Sequence, residues 1–290
     1  MKAAEKTIIS LGEIVWDVFP TEKKLGGAPL NFAYYAQQNG AHSYIVSALG
    51  NDMLGDDTMA LISDIGVDCS HIQRNEYPTG QVIVTLSGDG IPQYDIREGA
   101  SWDYIEAREA VLELAAHADA ICWGVLAQRS ECSKIAIFSI LDAAKDECLK
   151  IFDINIRQHY YSKDIIAGSL ERADVLKLNE DELPLLIELF DLDKETAIRI
   201  LTERFSLKMI LFTQGAVCSE VYCGGIKVSH IDTPKVNVAD TVGAGDSFTA
   251  AFVSNILRGA SVQEAHNIAV KTSAYVCTCK GAINPLPKEL

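Results

Sequence analysis

Two aspartates bracket a glycine-rich turn late in the chain. The stretch ADTVGAGDSF, residues 239–248, holds Asp240 and Asp246, with Gly243, Ala244 and Gly245 directly before the second. Small residues leave the backbone open to close approach, and a carboxylate beside exposed N–H groups can take a proton next to a bound anion. Ser247 to Leu257 has helical spacing, which puts Gly243, Ala244 and Gly245 at a helix N-terminus. Unpaired N–H groups and the positive end of the helix dipole gather there. The combination reads as a phosphate-handling loop with Asp246 at its mouth. An ordinary capped helix start has a similar composition, since Asp beside Gly opens many helices.

A second candidate is the glycine pair Gly26-Gly27 in KLGGAPLN, residues 24–31, ahead of another helical stretch whose first turn carries Asn31. Such a backbone floor suits a small polar ligand, with the Asn amide hydrogen-bonding to it. A tight strand-to-helix connection with a solvated Asn has the same sequence. Asp17, in WDVF at the end of the first strand, is a candidate hydroxyl acceptor, because ligands of parallel α/β sheets gather at strand carboxyl ends. A plain surface carboxylate is its alternative. The chain has neither G-x-x-x-x-G-K-[ST] nor a G-x-G-x-x-G after its first strand, so a phosphate site must be built another way.

Hydrophobic spacing supplies the scaffold. Residues 7–19 read as a strand that starts buried and turns polar, and 27–40 as a helix with Pro29 at its first position and Gly40 past its end. Residues 43–50 read as a strand and 56–66 as a helix. Apolar runs at 118–126, 150–156, 173–179 and 208–215 read as further strands, separated by segments with three- and four-residue apolar spacing. This alternation predicts an α/β fold whose mainly parallel sheet is covered on both faces. Two regions depart from it. Residues 79–99 alternate with period two around Ser87-Gly88-Asp89-Gly90, and 219–231 turn at Gly224-Gly225; both read as hairpins. One α/β domain over residues 1–290 is expected, with the first hairpin a flap, a lid or an oligomer contact.

The totals narrow the function classes. With 290 residues, 48% apolar and 22% charged, the chain can bury a large core. Its 25 basic against 40 acidic residues give a net charge of −15, which argues against broad binding to nucleic acid or anionic membrane. The eight cysteines form no Cys-x-x-Cys pair, and Cys277-x-Cys279 has no partner pair nearby, so reduced thiols rather than a zinc site are expected. No leader pattern and no run of 18 apolar residues occur, and a cytoplasmic protein is expected.

In that order and at that distance, the Gly-Gly-x-x-x-Asn motif at 26–31 and the Asp-Thr-x-Gly-Ala-Gly-Asp-x-Phe loop at 240–248 resemble the ribokinase-like (PfkB-type) sugar kinases, from about residue 8 to the end. LGNDMLGDD at 49–57 is similar to the family's Gly-x-Asp-x-x-Gly stretch. GEIVWDVFP, LGGAPLNFAY and GASWDYI are similar to its fructokinase-type branch. The resemblance implies a doubly wound, three-layer α/β/α fold with a small β-sheet lid contributed by about 12–25 and 79–99. In relatives that lid often mediates homodimers. The implied reaction moves the ATP γ-phosphoryl group to a sugar hydroxyl, with magnesium.

The resemblance also implies roles. Asp246 would be the catalytic base, with Gly243, Ala244 and Gly245 supplying N–H groups to the transferring phosphoryl. Asp17, Gly27 and Asn31 would bind the sugar, joined by Arg97 from the lid and by Asn155 and Arg157 in DINIR, 153–157. Trp102 would pack over the sugar or in the core. Asn179 and Glu182 in NEDE, 179–182, would help hold magnesium within its water shell, although a helix cap with an acidic first turn reads equally well from the residues. Thr213 and Gly215 in TQGAVC match a nucleotide loop in which Cys218 stands where the family has its last glycine. Asn267 would flank the adenine. Asp240 and Thr241, with the returning segment 280–287, would line a monovalent-cation site, potassium being the expected ion.

Three functions fit these residues: a fructokinase-like kinase; the same chemistry on ribose, 2-keto-3-deoxygluconate, a nucleoside or a sugar phosphate; or a catalytically silent sugar- or nucleotide-binding regulator. Only Arg97 and Arg157 offer cations near the sugar, which favours an unphosphorylated acceptor. The intact string ending in Asp246 favours an enzyme.

Overall fold

The computed structural model describes residues 5–86 and 92–290; the turn Ser87-Gly88-Asp89-Gly90 lies outside the described residues. The first strand, β1 (Lys6–Leu11), buries its last four residues and stops at Gly12. Gly12 has φ of 141°, and a Cβ there would stand 2.9 Å from Pro29 Cγ, so only glycine makes this corner. Past Glu13 and Ile14 the chain enters β2 (Val15–Val18), which belongs to a different sheet. The single strand expected over 7–19 is therefore two strands, broken by Gly12.

Next, β3 (Lys23–Gly26) pairs antiparallel with β2, and Gly27 caps α1 (Ala28–Gln38). Pro29 is the second helical residue rather than the first, still within the turn where its missing N–H is harmless. Every residue from Pro29 to Ala36 is buried, so α1 keeps almost no solvent face. β4 (Ala41–Gly50) leads to α2 (Met53–Asp64), which starts three residues ahead of the expected position because Asp52 caps it, accepting the Gly55 N–H at 2.8 Å. β5 (Ile72–Asn75) is too short and polar for periodicity to reveal. The first hairpin is β6 (Gln81–Leu86) and β7 (Pro92–Ile96).

The rest alternates as the apolar runs predict: α3 (Glu109–His117), β8 (Ala120–Trp123), α4 (Glu131–Ala143), β9 (Leu149–Asp153), α5 (Lys163–Leu170), β10 (Val175–Asn179), α6 (Glu182–Phe190), α7 (Ala197–Phe205) and β11 (Met209–Gln214). The second hairpin, β12 (Cys218–Cys223) and β13 (Ile226–Asp232), turns at Gly224-Gly225. Two long helices, α8 (Ala244–Leu257) and α9 (Val262–Cys277), follow.

The large sheet runs β13-β12-β11-β10-β9-β8-β1-β4-β5, parallel from β5 to β11 and antiparallel in its last two strands. Its faces carry separate apolar layers. One contains Trp102, Trp123, Phe152 and Leu176; the other contains Phe32, Tyr35, Ala250 and Phe252 from α1 and α8. This is the doubly wound three-layer α/β/α arrangement. A second sheet, β3-β2-β6-β7, stands apart from the large one. Among the described residues no helix is long and apolar enough to cross a membrane.

A buried ion pair pins the end of β7 to the body. Arg129 donates from Nε and Nη2 to the two Asp103 carboxylate oxygens at 2.8 and 2.9 Å, and from Nη2 to the Arg97 carbonyl at 2.6 Å. Its guanidinium lies 3.9 Å from the Trp102 ring centroid and 4.8 Å from that of Tyr160. Trp102 is wholly buried in this joint, at core rather than at a ligand.

Candidate active site

Chain order reverses at β1: β4 and β5 lie on one side of it, β8 to β11 on the other. Such a reversal leaves a crevice at the strand carboxyl ends. A cleft lies there, its lining including Ser10, Glu13, Gly124, Asp153, Asn155 and Asp246. Asn155 adopts φ of 49°, the left-handed region that non-glycine residues seldom occupy and that recurs at functional sites.

The glycine turn meets this cleft as the opening of α8. Gly243, at φ 79°, is the N-cap, and a Cβ on it would stand 2.9 Å from the Ala282 carbonyl oxygen. Ala244 N–H closes back on the Thr241 carbonyl at 3.2 Å. The N–H groups of Gly243, Gly245 and Asp246 have no partner among the described residues, so they remain available to an anion. Ala244 contributes small size rather than a free donor. Asp246 is half-buried in the first helical turn. Asn31 Nδ2 donates to its Oδ2 at 2.8 Å, joining the two sequence motifs across 215 residues. Burial, then the charge of Asp153, pushes the Asp246 carboxyl up to about 6; the Asn31 hydrogen bond, Lys177 and Arg157 pull the other way. Asn31 Oδ1 is buried without a hydrogen-bond partner among the described residues.

On the small-sheet side, Gly27 has φ of 115°, and a Cβ there would strike the Glu13 carbonyl oxygen at 2.6 Å. Asp17, on β2, turns its carboxylate to within 3.6 Å of the Cβ position of Gly26. Burial raises its pKa, while Arg157 and Lys24 lower it. Arg157, an exposed residue following β9, thus bears on Asp17, Glu13 and Asp246 alike. Arg97 is not brought in: its side chain is 61% exposed and pairs with Asp95 at 3.2 Å.

Three charged residues at the site escaped sequence reasoning. Glu13 is buried on the cleft wall, and burial pushes its pKa to about 7. Asp153, at the end of β9, and Lys177, in the middle of β10, form a buried ion pair at 3.2 Å. The signal for this pair was available, because a charge inside an apolar strand such as VLKLN must find a partner.

Asn179 and Glu182 form a staple between strand ends. Asn179 Oδ1 accepts the N–H groups of Asp181 and Glu182 at 2.9 and 3.0 Å. Glu182, buried, accepts the Asn179 N–H at 2.8 Å and the Ile156 N–H at 3.0 Å. Each carboxylate oxygen keeps a further lone pair, which fits a metal reached through water. Thr213 is the penultimate residue of β11, and Gly215, at φ 47°, turns the chain toward β12. Cys218 is buried on β12, where Gln214 Nε2 donates to its sulfur at 3.0 Å. It approaches Glu220 and His230, but Glu220 is already bonded by Lys227, Tyr222 and His230. Asn267 lies on the exposed side of α9. Asp240 accepts the Val242 N–H and the Gly281 N–H, each at 3.1 Å, tying the turn to the returning segment; Thr241 is exposed beside it.

The chain as a whole matches a known family. The profile described as pfkB family carbohydrate kinase covers residues 3–289. Fructokinase-1 of Zea mays is 27% identical over 316 residues, spanning 100% of this chain and 97% of that protein. The fructokinase of Escherichia coli is 28% identical over 296 residues, spanning 96% of this chain and 95% of its own. Among solved structures, fructokinase with bound ATP from Xylella fastidiosa matches with a TM-score of 0.86 at 22% identity, covering 98% of this chain and 95% of that one. At that identity the likeness speaks for the fold.

Proposed function

The chain belongs to the pfkB family of carbohydrate kinases, and on that premise we propose that it transfers the γ-phosphoryl group of ATP to a hydroxyl of a free sugar, fructose first. The observation that carries this reading is the 2.8 Å bond between Asn31 and Asp246, which brings a polar sugar floor and an anion-binding turn to one point. Asp246 takes the proton of the attacking hydroxyl. The oxygen then bonds to the γ-phosphorus as the bond to the β-phosphate oxygen breaks. The backbone N–H groups of Gly243, Gly245 and Asp246 stabilise the charge spread over the transferring group.

Asp17, Gly27 and Asn31 hold the sugar, and Arg157 supplies the cation at the mouth. Magnesium, when bound, neutralises charge on the phosphates; Asn179 and Glu182 would hold it through water. Thr213, Gly215 and Asn267 would flank the nucleotide. A monovalent cation beside Asp240 and Thr241 would stiffen the turn, and potassium stimulation of turnover is the corresponding expectation. The small sheet would act as a lid and dimer contact over a single cytoplasmic kinase domain. Arg97, paired with Asp95, leaves Arg157 as the one positive side chain of the two candidates near the sugar, and this favours an unphosphorylated acceptor.

The test is ADP release with magnesium and ATP across fructose, ribose, 2-keto-3-deoxygluconate, adenosine and fructose 6-phosphate. Turnover on fructose alone supports the full reading; turnover on another acceptor keeps the chemistry and moves the substrate. Silence on all five, with ATP still bound, would point to a regulator. Asn31→Ala is expected to raise the sugar KM roughly five- to tenfold, the scale of a lost neutral hydrogen bond, while the ATP KM changes less than twofold. Equal changes in both would remove Asn31 from the sugar floor.

A further inference from the structure

Behind the glycine turn lies a charge arrangement that the proposed chemistry leaves unused. Lys177 Nζ is 3.1 Å from where a Cβ on Gly245 would stand, so the ammonium sits against the first turn of α8. It pairs with Asp153 Oδ1 at 3.2 Å, and both side chains are at most 10% exposed. Among the described residues that oxygen has no hydrogen-bond donor besides this ion pair. The Thr249 hydroxyl lies 3.0 Å from both Asp153 Oδ2 and the Gly245 carbonyl oxygen. Two sheet strands, β9 and β10, are thereby tied to the turn that presents Asp246.

We propose that the buried Lys177–Asp153 pair, tied to the first turn of α8 through Gly245 and the Thr249 hydroxyl, is the positioning device for the Asp246 carboxylate. A buried lysine beside one aspartate could serve packing alone. Here, however, the two charges act on Asp246 with opposite signs and from fixed positions. The Asp153 carboxylate 3.2 Å away gives the Lys177 ammonium its buried counter-charge. The other groups facing Asp246 are Asn31 from α1, Arg157 beyond β9, Glu13 beyond β1 and Cys122 on β8. The pair is linked to the turn through the Thr249 hydroxyl. Catalytic relevance rests on the reading of Asp246 as the base, but the electrostatic claim does not.

The decisive measurement is a titration of the Asp246 carboxyl by carbon-13 NMR in protein labelled at aspartate, the resonance being assigned by its loss in Asp246→Asn. Asp153→Asn is expected to lower the midpoint by about one pH unit and Lys177→Met to raise it by about one, a tenfold change in ionised fraction below the midpoint. The double variant is expected to return toward the wild-type value near 6. Unmoved midpoints, or shifts of the same sign in both single variants, overturn the proposal. Should Lys177→Met fail to fold, the isosteric Asp153→Asn decides by itself, since packing alone predicts no downward shift. The acid limb of kcat/KM for fructose, followed in the same variants, separates the two claims. Midpoints that move without the limb following would leave the pair's role intact and remove Asp246 as the base.

Discussion

Asp246→Asn is expected to fold and to bind both ATP and sugar while turning over about a hundred- to ten-thousandfold more slowly, the range a positioned general base supplies. Asparagine keeps the shape of the carboxylate and can still accept the Asn31 N–H, so only the proton acceptor is lost. In the wild type, the Asp246 pKa of about 6 means activity falls as pH drops through that value. The same displacement predicts a stability effect of opposite sense. Its folded-state pKa lies above the 3.8 of an unperturbed aspartate, so the folded protein binds the proton more tightly than the unfolded chain. Ionising this half-buried group therefore costs stability as pH rises from about 4 to about 6. Asp246→Asn escapes that cost and should melt higher than wild type at pH 7.5, with the gap closing near pH 4. Paired melting curves at the two pH values, with isothermal titration of ATP, check this. Activity above a tenth of wild type would remove the base assignment, and a lower melting point at pH 7.5 would remove the desolvation argument.

Arg129→Ala is expected to carry the largest stability loss, about 3–5 kcal/mol, because it leaves the Asp103 carboxylate buried without its cation. Arg129 and Asp103 are 6% and 7% exposed, and the guanidinium also fills the space between Trp102 and Tyr160. In a chain of this size the melting temperature should fall by roughly 10 °C. The double change Arg129→Met with Asp103→Asn should recover part of the loss, since it removes both charges while keeping volume. A loss under about 1 kcal/mol in denaturant unfolding would mean water reaches Asp103. The Arg97 carbonyl, which accepts from Arg129, would also be released, loosening the end of β7.

The alternation of strands and helices was legible because buried parallel strands are nearly continuous apolar runs, as in MILFTQ and VLKLN. Boundaries moved where one residue outweighs the pattern: Gly12 splits β1 from β2, and Asp52 starts α2 early. The meeting of Asn31 with Asp246 was readable only through the resemblance, since no local period links residues so far apart. Lys177, Asp153 and Arg129 were missed for a common reason. Hydrophobic spacing treats a charge as a mark of the surface, whereas each of these is a buried charge held by an opposite one. Glu182 shows the converse. Its motif was visible, but not that both of its oxygens accept backbone N–H groups, because the Ile156 partner comes from another strand end.

The burial of α1 has a consequence for the order of synthesis. Pro29 to Ala36 are covered partly by α8, in the same apolar layer as Phe248, Ala250 and Phe252. On a ribosome making about 5–20 residues per second, the 215 residues between Asn31 and Asp246 take roughly 10–40 s. Throughout that interval the nascent chain carries an apolar helix without its cover, and Asn31 has no Asp246 beside it. The Tyr35 hydroxyl, which donates to the Ala282 carbonyl at 2.9 Å, waits longer still. The last fifth of the polypeptide therefore acts as a closing piece. A chain released early, before α8 emerges, is a natural client for chaperones that bind exposed apolar helices, and no such fragment has an assembled site.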